Sequence, residues 1–314
     1  MISKAATYPE AAVLTGGDPA FLFRRKLIGL IMQAVLFLAA SISIFVTLAI
    51  VYILLSESVD FFRQVSLFDF LTDTQWTPVF AEAHFGILPL LSGTLLAAGI
   101  ALLVAIPLGT VLAVYLSEFA PGPVREIIKP TLELLGGVPT VVYGYFALLF
   151  LTPLFQIFIP GLAGFNILVP GIVMGIMILP LVVTVSEDAM RAVPHALREG
   201  GYALGFTRFQ TATRVVVPAA FSGITAAYIL GMSRAVGETM VVAIAAGQNA
   251  NLTLNPLEGA ATITTYIVQI SLGDLPHGSI AYQTIFATGF VLFLLTLLFN
   301  VLGFELRRRY REAY

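Results

Sequence analysis

No cysteine occurs in the 314 residues, so a disulfide, a catalytic thiolate and a Cys-ligated metal are all excluded. Charge is scarce too: only 11% of residues are Asp, Glu, Lys or Arg, and the net charge is −2. A soluble domain carries about 25%. There is no Gly-Lys pair anywhere. The phosphate-cradling loop G-x-x-x-x-G-K-[ST] is therefore missing, and the chain has no such site for ATP. Histidine is limited to His84, His195 and His277, which lie far apart in polar connections and make a poor basis for a metal site. No Ser/Lys, Asp/Asp or His/Glu arrangement falls inside an apolar run, which argues against an intramembrane enzyme. Nothing marks a nucleic acid as a partner.

What remains is apolar. Hydrophobic residues make up 58% of the chain, and its mean hydropathy is +0.95. Runs of this kind, about 18 residues or longer, read as transmembrane helices. Barrel strands would alternate apolar and polar residues, and these runs do not. The class is an all-α integral membrane protein set in a lipid bilayer.

Six spans are expected, at 27–55, 87–116, 138–158, 167–185, 219–246 and 283–304. Arg24-Arg25-Lys26 precedes the first run, which is too long for a signal peptide and lacks a small-residue cleavage site. It reads as an uncleaved span. Segment 56–86 is polar, and 117–137 reads as a turn-rich connector with Pro121, Gly122, Pro123, Pro130, Gly136 and Gly137. Segment 258–273 is short for a span, which needs about 20 residues. It reads as a helix lying on or dipping into the outer face. Gly171-x-x-x-Gly175 would let two helices pack closely.

Lys and Arg placement sets the orientation. With the N-terminus cytoplasmic, 14 of the 16 basic residues fall inside the cell; Arg63 lies outside and Arg234 within a span. Both termini and the loop 186–218 are then cytoplasmic.

That loop carries Arg191, Arg198, Arg208 and Arg214 and no lysine. Pro194 suits a first helical turn. The helix would end near Leu204, with Gly205 in the left-handed position after it. Thr207 and Gln210 fit a capping box for a second helix. Gly200, Gly201 and Ala203 would leave one face bare. Leu197, Leu204 and Phe206 would anchor a helix-in-groove contact, with Arg198 and Glu199 at its rim. The bland alternative is a solvated connection between two spans.

Arg234 and Glu238 lie mid-span, where a charge costs about 2.5–3.5 kcal/mol on insertion scales. In a continuous helix residues i and i+4 share a face, so the two can pair, with Ser233, Gly237 and Thr239 beside them. The pair could lock two helices together. It could also be an anion checkpoint, since a guanidinium fork matches phosphate oxyanions.

The spacing Glu199-x5-Gly205-x9-Val215-x-Val217-Pro218 resembles the "EAA" loop of ABC-importer permeases, which docks into the ATPase subunit. Three further elements are similar to the phosphate-uptake permeases: Arg234-Ala235-Val236-Gly237-Glu238-Thr239, the stretch Gly137 to Gly144, and Trp76-x-Pro78 ahead of Gly86-Ile87-Leu88-Pro89. The Trp-Pro segment and the long first outside loop favour the PstC type over the PstA type. The resemblance covers about 25–306. Gly200-Gly201 stands where the family has alanines; both are small.

The resemblance implies a type I (MetI-like) permease fold, with a cytoplasmic tail 1–26, a first span and external loop 27–86, and a permease core 87–306. The core holds the ATPase-docking loop 187–218, and a basic cytoplasmic tail 307–314 follows. It implies a bacterial inner-membrane phosphate importer with a homologous PstA-like permease, two PstB-like ATPases and a PstS-like extracytoplasmic binding protein. ATP and Mg would bind the ATPase, and no cofactor would bind this chain. Leu197, Arg198, Glu199, Gly200, Gly201, Leu204, Gly205 and Phe206 would dock the ATPase. Arg234, Glu238, Ser233 and Thr239 would line the substrate path. A sulfate or molybdate permease and an ion-coupled secondary transporter remain open alternatives.

Overall fold

The computed structural model describes residues 19–309 except His277. The expectations for residues 1–18, for His277 and for 310–314 lie outside the described residues. By internal contacts the chain separates into one unit up to Ile53 and another from Leu54 onward.

The first unit holds most of α1 (Pro19–Phe62). None of the most apolar window of α1 is buried within the chain. A helix apolar all round belongs in lipid. It outruns the expected span 27–55 and carries Glu57 and Asp60 within its last turns.

The second unit is a bundle. After the short α2 (Leu67–Thr72) come α3 (Leu88–Phe119), α4 (Gly122–Gly137), α5 (Thr140–Phe158) and α6 (Leu168–Arg191). Then follow α7 (His195–Ala203), α8 (Arg208–Ala219), α9 (Phe221–Val236), α10 (Met240–Ala245), α11 (Ile263–Ser271) and α12 (Ile280–Arg309). Among the described residues, five helices, α1 included, are long and apolar enough to cross a membrane, or six if α8 and α9, bent by 71°, count as one span.

The centre is α3 against α6. Gly171 and Gly175 make the approach possible, as their spacing suggests. A β-carbon on Gly175 would lie 2.7 Å from the Ala101 carbonyl oxygen, and one on Gly171 would lie 2.8 Å from the Ile100 side chain. Met174, Ile178 and Val182 fill the contact and are fully buried. At the other end of α3, Trp76 pairs with Phe85 across an isolated bridge and packs edge-on against Tyr266 and Phe70.

Four expectations need correction. Segment 117–137 is not a connector: 122–137 is α4, with Pro123 in its first turn and Pro130 inside it. Ile128, Leu132 and Leu135 recur at helical spacing and pack inward together, which outweighs the cost of Pro130. The fourth span runs on to Arg191, because Glu187 is neutralised rather than solvated. Pro194 caps α7 from an extended conformation instead of entering it. The fifth span is not one helix: it stops at Val236 and resumes at Met240.

Segment 260–266 dips inward. Ala260, Ala261 and Ile263 are fully buried. A β-carbon on Gly93 would lie 2.3 Å from the Ala261 carbonyl oxygen, so only glycine fits on α3 there.

Candidate functional site

The loop between α6 and α9 folds as its punctuation suggests. Gly205 has φ +81, the left-handed value. Thr207 Oγ1 accepts from Gln210 N–H, and Gln210 Oε1 accepts from Thr207 N–H, closing the capping box. Gly200 faces open space.

Its four arginines all contact groups of the chain, though Arg191, Arg208 and Arg214 stay exposed. Arg198 is not at a rim. Its Nη2 meets Glu118 Oε1 at 2.9 Å and its Nε meets Oε2 at 3.3 Å. It also donates to the carbonyls of Val193 at 2.6 Å and Met190 at 2.8 Å. The Met190 carbonyl, in the last turn of α6, also accepts from Val193 N–H at 3.2 Å, and Val193 lies just past the helix end. Only 11% of the Arg198 side chain and 8% of Glu118 are exposed. Arg208 lies over the Phe119 ring and Arg214 over the Phe206 ring. Arg191 reaches Glu187 at 3.8 Å.

Glu187 is fully buried, held by Arg125 and, at 2.8 Å, by Lys129. It fastens α4 to α6. An isolated carboxylate at that depth would be prohibitive, so the cations of α4 are part of the fold. Sequence reasoning missed Glu118, Glu187, Arg125 and Lys129. The spacing of Arg125 and Lys129, one helical turn apart, was the one visible signal.

The expected docking residues divide. Leu197 packs inward, and Gly201 is buried against Thr211. Phe206 is half-buried. Glu199, Gly200 and Gly205 are exposed, and so is Leu204 at 78%. Phe209, not foreseen, adds a large exposed ring at 66%. The offered surface is mixed: the exposed apolar groups Leu204 and Phe209 stand beside exposed Glu199, Arg208 and Arg214.

Arg234 and Glu238, expected mid-span, flank the end of α9 and do not pair. Arg234 is in the last turn of α9, where a cation is favoured by the helix dipole. It is exposed and makes no ion pair among the described residues. Glu238 lies past the break and turns away. Its Oε1 accepts the N–H groups of Met240 at 3.1 Å and Val241 at 3.3 Å, capping α10. The i, i+4 expectation fails because Gly237 ends the helix between them. Ser233 is half-buried, its hydroxyl without a hydrogen-bond partner. Thr239 Oγ1 donates to the Gly237 carbonyl at 3.4 Å. A cavity of about 910 Å³ lies elsewhere, lined by Tyr145, Phe165, Ile244, Gln248, Asn249 and Glu258 among others.

The molecule is a bundle of membrane-crossing helices with a fastened helix pair, α7 and α8, in the loop between α6 and α9. That is the plan of an ABC-importer permease. The chain belongs to the binding-protein-dependent transport system inner membrane component family, whose model matches residues 105–312. It is 39% identical over 238 residues to the Probable ABC transporter permease protein YqgH of Bacillus subtilis, covering 76% of this chain and 77% of that one. It is 34% identical over 253 residues to the Phosphate transport system permease protein PstC of Mesorhizobium japonicum, covering 74% and 75%. Two solved structures share the fold. The bacterial ABC transporter involved in alginate import matches with TM-score 0.59 and 17% identity, covering 93% of this chain and 96% of that one. The inward-facing MetNI methionine ABC transporter matches with TM-score 0.53 and 17% identity, covering 72% and 95%. These relatives are transporter permeases, not enzymes, and the family implies an ATPase and a binding protein as partners.

Proposed function

We propose that the chain is a PstC-type permease subunit that forms half of the path for inorganic phosphate in an ATP-driven importer. The observation that carries this is Arg234: an exposed guanidinium in the last turn of α9, beside the break in the fifth span, with no acidic partner among the described residues, on a chain similar to phosphate permeases. A cation left unneutralised there is costly unless something anionic visits it.

In this reading both termini are inside the cell, as 14 of 16 basic residues favour. Residues 27–86 form the first span and external loop, and 87–306 the permease core. The loop 187–218 meets one of two PstB-like ATPases through Leu204, Phe209 and the flank of Glu199 and Gly200. A PstA-like permease supplies the other half of the path, and a PstS-like protein delivers phosphate at the outer face. ATP and Mg stay on the ATPase. ATP binding closes the motor, α7 moves with it, and the bundle opens outward. Phosphate then engages the Arg234 donors, with the Ser233 hydroxyl and Thr239 nearby. Hydrolysis returns the bundle to its inward-facing state.

Competition tests the cargo. In vesicles holding the complete importer, a hundredfold excess of unlabelled sulfate or molybdate should leave radiolabelled phosphate uptake unchanged. Suppression by either anion would reassign the cargo to it.

A further inference from the structure

The break in the fifth span has a brace. Gly237 and Thr239 interrupt the helical ladder, and the Glu238 carbonyl accepts instead from Thr264 Oγ1 at 2.7 Å. Thr264 is 7% exposed and sits in the first turn of α11. Its neighbours are fixed. Ile263 N–H donates to Thr94 Oγ1 of α3 at 3.0 Å, and the Ala261 carbonyl sits in the space left by Gly93. Thr262 Oγ1 lies 3.0 Å from Thr264 Oγ1 and 2.9 Å from Thr265 Oγ1. A hydroxyl has one proton to give. Thr264 gives its proton to the Glu238 carbonyl, so a hydrogen bond between Thr262 and Thr264 is donated by Thr262. The brace therefore has a definite direction and is anchored on α3.

The break has a chemical consequence. Were α9 wound through Gly237 into α10, Glu238 would stand one turn from Arg234 on the same face. The carboxylate would then neutralise the guanidinium. With the break in place, Glu238 caps α10 and Arg234 keeps its donors.

We propose that Thr264 is a positioning residue for the Arg234 site: it holds the Glu238 peptide out of the helix and so prevents the chain from supplying its own anion to Arg234. This rests on the phosphate-path reading of Arg234. It assigns a role to segment 260–266 that neither the docking loop nor the substrate-path residues provide.

The test uses the complete importer in proteoliposomes, with phosphate uptake read per assembled complex. Thr264→Val keeps the shape and removes the proton; uptake should fall about tenfold, the scale of one buried hydrogen bond lost. Thr264→Ser should stay within about twofold of wild type, since it keeps the donor. The double variant Thr264→Val/Glu238→Gln should recover most of the loss, because the neutral amide can still cap α10 but cannot neutralise Arg234. A merely structural threonine would not be rescued by changing Glu238. The proposal is overturned if Thr264→Val transports normally, if Thr264→Ser fails as badly as Val, or if the double variant is no better than Thr264→Val. Failure of the Arg234 reading is separate: it shows as wild-type uptake in Arg234→Gln alone.

Discussion

Replacing Arg198 with Gln is expected to give an importer that hydrolyses ATP but accumulates little phosphate. Arg198 is where α7, the helix proposed to meet the ATPase, is tied to the bundle. One guanidinium binds the Glu118 carboxylate through two nitrogens and reaches the Met190 and Val193 carbonyls. It thus joins α7 to the ends of both α3 and α6, the pair at the centre of the bundle. Breaking a buried ion pair from one side costs about 3–5 kcal/mol, because the remaining charge is left unpaired. Glu118 would be that charge. The exposed face of α7 and α8, with Leu204 and Phe209, would survive, so the ATPase should still dock. Motion of α7 would no longer be passed on. Uptake per ATP hydrolysed should fall at least tenfold. Arg198→Lys should fail nearly as badly, since an ammonium cannot reproduce the planar fork. Glu118→Gln should be milder, because the Arg198 cation it leaves keeps the Val193 and Met190 carbonyls as acceptors. Parallel uptake and ATPase rates on the same vesicles check this; uptake and hydrolysis falling in step would mean that Arg198 acts at docking instead.

The second large effect is at Arg234. Arg234→Gln should lower phosphate uptake by about ten- to a hundredfold, the equivalent of one charge-assisted hydrogen bond at about 1.5–3 kcal/mol. Because Arg234 makes no ion pair within the described chain, thermal stability in detergent should hardly change. This separates a path residue from a structural lock, whose removal would lower both. Arg234→Lys should retain part of the activity, as a point charge without the fork. The check is uptake and melting temperature on one preparation. Normal uptake in Arg234→Gln would remove Arg234 from the path.

What was legible in the sequence follows interaction range. The capping box at Thr207 and Gln210, the left-handed Gly205 and the small faces of Gly171 and Gly175 depend on residues a few positions apart, and they stand as read. The Arg198–Glu118 pair joins residues 80 positions apart, so no local pattern announces it. The same holds for Glu187, whose cations come from α4. Helix α4 was obscured by its prolines, although Ile128, Leu132 and Leu135 carried the period. The fifth span misled in the opposite way. Its apolar flanks suggested one helix, while Gly237 was visible but not decisive. The Thr264 hydroxyl that meets the Glu238 carbonyl comes from 26 positions further on, beyond any local reading.

The most direct measurement is reconstitution of this chain with its second permease, ATPase and binding protein, followed by radiolabelled phosphate in vesicles. Phosphate should accumulate only when ATP is present on the ATPase side and binding protein on the other, and collapsing ion gradients should change nothing. Phosphate accumulation by the chain alone, driven by an ion gradient without ATP, would contradict the account.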